Sequence, residues 1–176
     1  GIAAERKELE FLKMRATYII DTSNLLTREL NQEIRKIFVE GKEYKNLYVT
    51  ILSFGFKYGI PSDADLVFDV RFLPNPYYIE ELKEKTGQDK AVQQYVMDND
   101  KAPVFLEKVT DLLEFLLPNY ILEGKNQLVI AVGCTGGKHR SVTLANAIYE
   151  KMKEKEDYGF RIEHRDITKD SITKAK

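Results

Sequence analysis

Gln127-Leu128-Val129-Ile130-Ala131-Val132, followed at once by Gly133-Cys134-Thr135-Gly136-Gly137-Lys138-His139-Arg140-Ser141, is the stretch that decides the fold of this 176-residue chain. From Leu128 to Val132 no polar side chain is left to face water. That is the pattern of a strand covered on both faces in a mainly parallel sheet. Beyond Ser141 the apolar residues Val142, Ala145, Ile148, Tyr149 and Met152 recur at helical spacing, which predicts a helix from Ser141 to about Lys155. Strand, glycine-containing loop and helix follow one another without a break.

Working outward, Leu47 to Phe54 is β-branched and aromatic and reads as a second strand, and Leu66 to Val70 as a third. Gly-punctuated and Pro-rich loops, 55–61 and 71–76, follow them. Residues 79–98 read as two short helices broken at Gly87. A longer helix is expected over about 103–117, with Phe105, Val109, Leu112, Leu113 and Leu116 facing the core. Phe160 to His164 reads as a last short strand, and Lys169 to Lys176 as a frayed tail. Upstream, residues 5–16 read as a charged helix, Tyr18-Ile19-Ile20 as a short buried strand, and Thr27 as the N-cap of a helix that Gly41 ends. Strands alternating with helices indicate an α/β fold, a mainly parallel sheet flanked by helices.

The loop has a chemistry of its own. The first turn of a helix carries free N–H donors and positive dipole potential, so it attracts anions. Gly136 and Gly137 let the backbone approach a ligand closely. Arg140 can grip two oxygens of one phosphate or carboxylate. Lys138 and His139 add donors, and Ser141 is placed to cap the helix. Asp69 and Arg71, alternating with Val70, share one face of their strand and are expected to close the pocket or to pair with each other. His164 and Arg165 fall at a strand end, on the side where α/β sheets hold ligands.

Three readings compete for this loop. A Walker A motif fails, because Gly133 and Gly137 enclose three residues rather than four and His139 stands where Ser or Thr must hold magnesium. A cysteine-dependent phosphatase fits the spacing Cys134-x5-Arg140-Ser141, with Asp63, Asp65 or Asp69 as general acid. Against it, Gly133 replaces the His that usually precedes such a nucleophile. Binding of a phosphate without turnover needs no nucleophile and uses every residue of the loop, so it is preferred, and no catalytic residue is assigned. A structural oligomerisation module is the third class of function considered.

Composition bounds these readings. A formal charge of −1 excludes a strongly basic nucleic-acid binder, leaving local patches. One cysteine forms no internal disulfide and implies a reducing, cytoplasmic setting. Two histidines and one cysteine offer no metal-ligand spacing, so no metal is expected. No run reaches the length of a membrane helix. The chain starts at Gly1 without an initiator Met and reads as a fragment.

Three segments carry a resemblance: Ser53 to Pro61, Asp63 to Pro76, and Gly133 to Ser141, joined by Thr86-Gly87-Gln88-Asp89 and Ile20-Asp21-Thr22-Ser23. Together they resemble the RapZ/YvcJ family, bacterial P-loop nucleotide-binding proteins whose best-known member is an RNase adapter for small RNAs. The resemblance implies that residues 1–45 are the end of a P-loop NTPase domain whose Walker A motif is absent here. ATP or GTP, with magnesium, would belong to that missing part. Residues 46–176 would be a complete C-terminal domain, similar to a phosphofructokinase subdomain, that senses an aminosugar phosphate and contacts RNA. Its pocket would include Cys134, Thr135, Gly136, Gly137, His139 and Arg140.

Where adapter-type sequences carry His, this chain has Tyr58 and Tyr77, which points the pocket toward a different ligand such as a nucleotide sugar. The adapter's basic tail is diluted to Lys169-Asp170-Ser171, and residues 151–176 hold eight Lys/Arg against six Asp/Glu. Phosphate-driven RNA affinity grows with the number of cationic contacts. Lys151, Lys153, Lys155, Arg161, Arg165 and Lys169 are the candidates for small-RNA contact. A homo-oligomeric regulator is expected.

Overall fold

The structure, a computed structural model, describes residues 9, 12, 15–23, 25–38, 47–155 and 158–169, and of residues 32, 35 and 36 the backbone only. The chain divides into two compact units, 1–46 and 47–176.

In the first unit, helix α1 spans Thr27–Phe38. It starts one residue earlier than expected, so Thr27 is its first residue rather than its cap. The Leu26 amide is instead satisfied by the Glu29 carboxylate at 2.8 Å. Tyr18-Ile19-Ile20 is not a strand: it is irregular, with Tyr18 and Ile19 exposed. The Tyr18 ring instead meets Phe38 edge to face at 5.6 Å. Leu9, Leu12 and Arg15 are helical, while the rest of the helix expected over 5–16 and its counterpart end at Gly41 lie outside the described residues.

The second unit is an α/β domain. Strands β1 (Leu47–Gly55), β2 (Leu66–Asp69), β3 (Gln127–Cys134) and β4 (Tyr158–His164) form one sheet in the order β2-β3-β1-β4, with every neighbouring pair parallel. Strand β2 is short because Leu66 joins the sheet opposite Ile130, halfway along β3. The connection over residues 56–65 therefore needs no crossover helix; it holds only a 3-10 turn at Phe56–Tyr58. Asp65 fixes the entry to β2 by accepting from the Val129 amide (2.8 Å) and from Lys125.

After β2 come a 3-10 turn at Pro76–Tyr78 and helices α2 (Glu80–Lys83), α3 (Lys90–Met97) and α4 (Lys101–Leu122). Helix α5 (Arg140–Met152) follows β3 and leads to β4. Leu47, Val49 and Ile51 of β1 alternate onto the same sheet face as Leu128, Ile130 and Val132 of β3 and join Leu113, Leu117, Leu144 and Ile148 in one core.

Helix α4 departs from the expected face. Its buried residues are Ala102, Leu106, Val109, Thr110, Leu113 and Leu117, whereas Leu112 is exposed. It also continues through Pro118, where a stop was expected. Proline removes one ladder donor, and the helix tolerates this near its C-terminal end. No described helix is long and apolar enough to cross a membrane.

Candidate anion-binding site

Because the sheet is parallel, the loops leaving β1, β2 and β3 meet at one end, the carboxyl end where α/β sheets bind ligands. They enclose a cavity of about 670 Å³. Lys57 and Tyr58 come from the turn after β1. Asn75, Tyr77, Tyr78 and Lys83 come from the segment after β2. Cys134, Thr135, Gly136, Lys138, His139 and Arg140 come from the loop that opens α5. Four of these side chains are Lys or Arg, and among the described residues no carboxylate lines the cavity.

The loop backbone is held open by its neighbours. Gly137 has φ 75°, a conformation that glycine adopts without strain. A Cβ on Gly55 would fall 2.6 Å from the Gly136 carbonyl carbon, and one on Gly137 would fall 2.7 Å from the Gly55 nitrogen. The end of β1 and the loop are thus in direct backbone contact. On the other side the Gly87 amide donates to the Lys138 carbonyl at 2.9 Å.

Helix α5 makes its first bond from the Thr143 amide to the His139 carbonyl, 3.0 Å. Among the described residues no amide from 136 to 142 donates to a protein group. Ser141 does not cap the helix as expected. Residue 140 is already helical and His139 occupies the cap position without a side-chain bond. The Ser141 hydroxyl instead lies 3.1 Å from the Cys134 thiol, both groups buried.

Arg140 is only 5% exposed. Its Nη1 donates to the carbonyls of Arg71 (2.8 Å) and Leu73 (3.0 Å), and Nη2 to Thr135 Oγ1 (3.2 Å). Its Nε has no partner, and neither has Nε2 of His139, which is 6% exposed. Burial first, and then the charge of Lys138, push the His139 pKa below its ordinary value, so the ring is neutral near pH 7. Lys138 Nζ donates to the Lys83 carbonyl at 3.1 Å and lies 3.7 Å from Glu84.

Other expected residues lie elsewhere. Asp69 and Arg71 pair with each other, Nη2 to Oδ2 at 2.6 Å, with Arg71 over the Phe56 ring at 4.2 Å. Neither lines the cavity. The hydrogen bonds from Arg71 hold the Asp69 carboxyl below the usual range despite some desolvation. Asp63 and Asp65 are also outside the cavity, so none of the three candidate acids shares it with Cys134. His164 Nδ1 lies 2.8 Å from the Ser53 hydroxyl. Of the cations considered for RNA, Lys153, Lys155, Arg161, Arg165 and Lys169 each pair with a carboxylate.

Asp166 was missed by sequence reasoning. It is fully buried and accepts from the Gly55 amide (2.8 Å), from Arg165 (Nη2, 2.8 Å) and from Lys169 (2.6 Å). Burial alone would raise its pKa, but these donors overrule that and hold it low. The only sequence signal is an acid between Arg165 and Lys169 just past the last strand. Among the described residues no group of three or more His, Cys, Asp or Glu side chains could hold a metal ion.

The family model described as the RapZ C-terminal domain matches residues 47–168, the unit that carries the cavity. The chain belongs to the RapZ family. A nucleotide-binding protein from Agathobacter rectalis is 63% identical over 172 residues, covering 98% of this chain and 59% of that protein. Nucleotide-binding proteins from Lachnoclostridium phytofermentans and a Thermoanaerobacter species are 60% and 59% identical, covering 96% and 95% of this chain. The chain spans 59% and 58% of the length of those two relatives. The RapZ-type domain accounts for the whole sheet and every wall of the cavity.

Proposed function

We propose that the RapZ-type domain of this chain binds a phosphorylated small molecule, holds it without turnover, and acts as the regulatory part of a longer nucleotide-binding protein. One observation carries this reading. Thr135, Gly136, His139 and the cations Lys138 and Arg140 line one cavity, and among the described residues no carboxylate joins them there. The buried Nε2 of His139 and Nε of Arg140 make no hydrogen bond to a described residue, so the polar groups behind the cavity wall are not fully satisfied by the protein alone. In this reading ATP or GTP and magnesium belong to the part of the longer relatives that the chain does not span. Contact with RNA gains little, because the candidate cations are largely neutralised by their own carboxylates.

The test is thermal unfolding of the chain with inorganic phosphate, sulfate and a hexose 6-phosphate. Phosphorylated compounds are expected to raise the melting temperature, and Lys138→Gln to reduce that rise. No rise with any anion would reject the reading. The contact between the Cys134 thiol and the Ser141 hydroxyl favours a second reading, a cysteine-dependent phosphatase. It requires hydrolysis of an aryl phosphate that is lost in Cys134→Ser, and the placing of Asp63, Asp65 and Asp69 outside the cavity weighs against it.

A further inference from the structure

The cavity is larger and more varied than one phosphate group requires. Its cations stand on three separate elements: Lys57 after β1, Lys83 on α2, and Lys138 with Arg140 at the loop before and into α5. A single phosphate at the loop would meet the cations of one element and not those of the other two. Lys83 makes no ion pair among the described residues; its Nζ sits 5.4 Å above the Tyr77 ring.

Beside these cations stand exposed aromatic rings. Tyr77 is 49% and Tyr78 81% exposed, and the two meet edge to face at 5.9 Å. Both line the cavity, as does Tyr58. Exposed rings beside a group of cations offer flat faces on which a base can stack. Asn75 fixes their turn, its Oδ1 accepting from the Tyr77 amide at 3.4 Å.

We propose that the cavity takes the base–ribose–diphosphate unit of a nucleoside diphosphate, with the diphosphate across the 135–140 loop and the outer lysines and the base against Tyr77 and Tyr78. The assignment rests on the phosphate reading above and narrows it. It places a nucleotide in this domain, apart from any site in the remainder of the longer relatives. Base stacking on an aromatic side chain tolerates all bases, so the geometry selects a class and not one base.

Isothermal titration of the 176-residue chain tests it, with UDP, GDP, ADP, a UDP-sugar, inorganic diphosphate and glucose 6-phosphate as probes. At least one nucleoside diphosphate, free or as its sugar ester, is expected to bind about ten-fold more tightly than diphosphate or glucose 6-phosphate. Comparing UDP with the UDP-sugar tells the free from the esterified form. Tyr78→Ala, at an exposed position, is expected to remove that advantage while leaving diphosphate affinity unchanged, and Tyr78→Phe to keep it. If glucose 6-phosphate binds as tightly as every nucleotide and Tyr77→Ala and Tyr78→Ala change nothing, this inference is overturned and the phosphate reading stands. If no phosphorylated probe binds, the phosphate reading itself has failed.

Discussion

The carboxylate of Asp166 accepts the Gly55 amide, Arg165 and Lys169 at once, and the Asp166 Cβ lies 2.9 Å from where a Cβ on Gly137 would stand. It therefore braces the end of β1 against the 135–140 loop. Asp166→Ala leaves a buried amide without an acceptor and is expected to cost about 2–3 kcal/mol in urea unfolding. A loss under about 0.5 kcal/mol would show that water replaces the carboxylate freely. Sequence could not single this residue out, because one acid among many charged neighbours carries no spacing rule. The Gly133–Ser141 loop was legible for the opposite reason: glycines, cations and a preceding apolar strand each restrict the chain in the same place. What the loop sequence hid was the role of Ser141, since whether a hydroxyl caps a helix or faces a thiol depends on a two-residue shift of the helix start.

At the scale of elements, β1 and β3 were readable because a central parallel strand leaves no exposed side to disguise it. Helix α4 was harder. An apolar-rich helix has several faces that could pack, and Leu112 and Leu113 sit side by side in sequence. The structure buries Leu113 completely and leaves Leu112 42% exposed. Leu113→Ala is expected to destabilise the domain by about 2–5 kcal/mol. Leu112→Ala should change it by less than about 1 kcal/mol. Equal losses in denaturant midpoints would mean that the helix is turned from the face described. The Tyr18–Ile20 segment misled because strand composition says nothing about whether a partner strand is at hand.

For the whole molecule, the two histidines set the response to mild acid. His139 and His164 both have pKa values lowered by burial. The unfolded chain then binds more protons than the folded one below about pH 6.5, so stability falls as pH drops through that point. Asp69 and Asp166 are held low and add their loss only under far stronger acid. The melting temperature is expected to be lower at pH 5.5 than at pH 7.5. An unchanged value would show that both rings gain a proton in the fold at no cost.

Strand β4 and Asp166 reach β1 from 111 positions further along the chain. Residue 166 must leave the ribosome before the brace on Gly55 and Gly137 can close. Until then the nascent loop has glycines and cations but lacks its brace, so the cavity takes its final form only late in the synthesis of this domain.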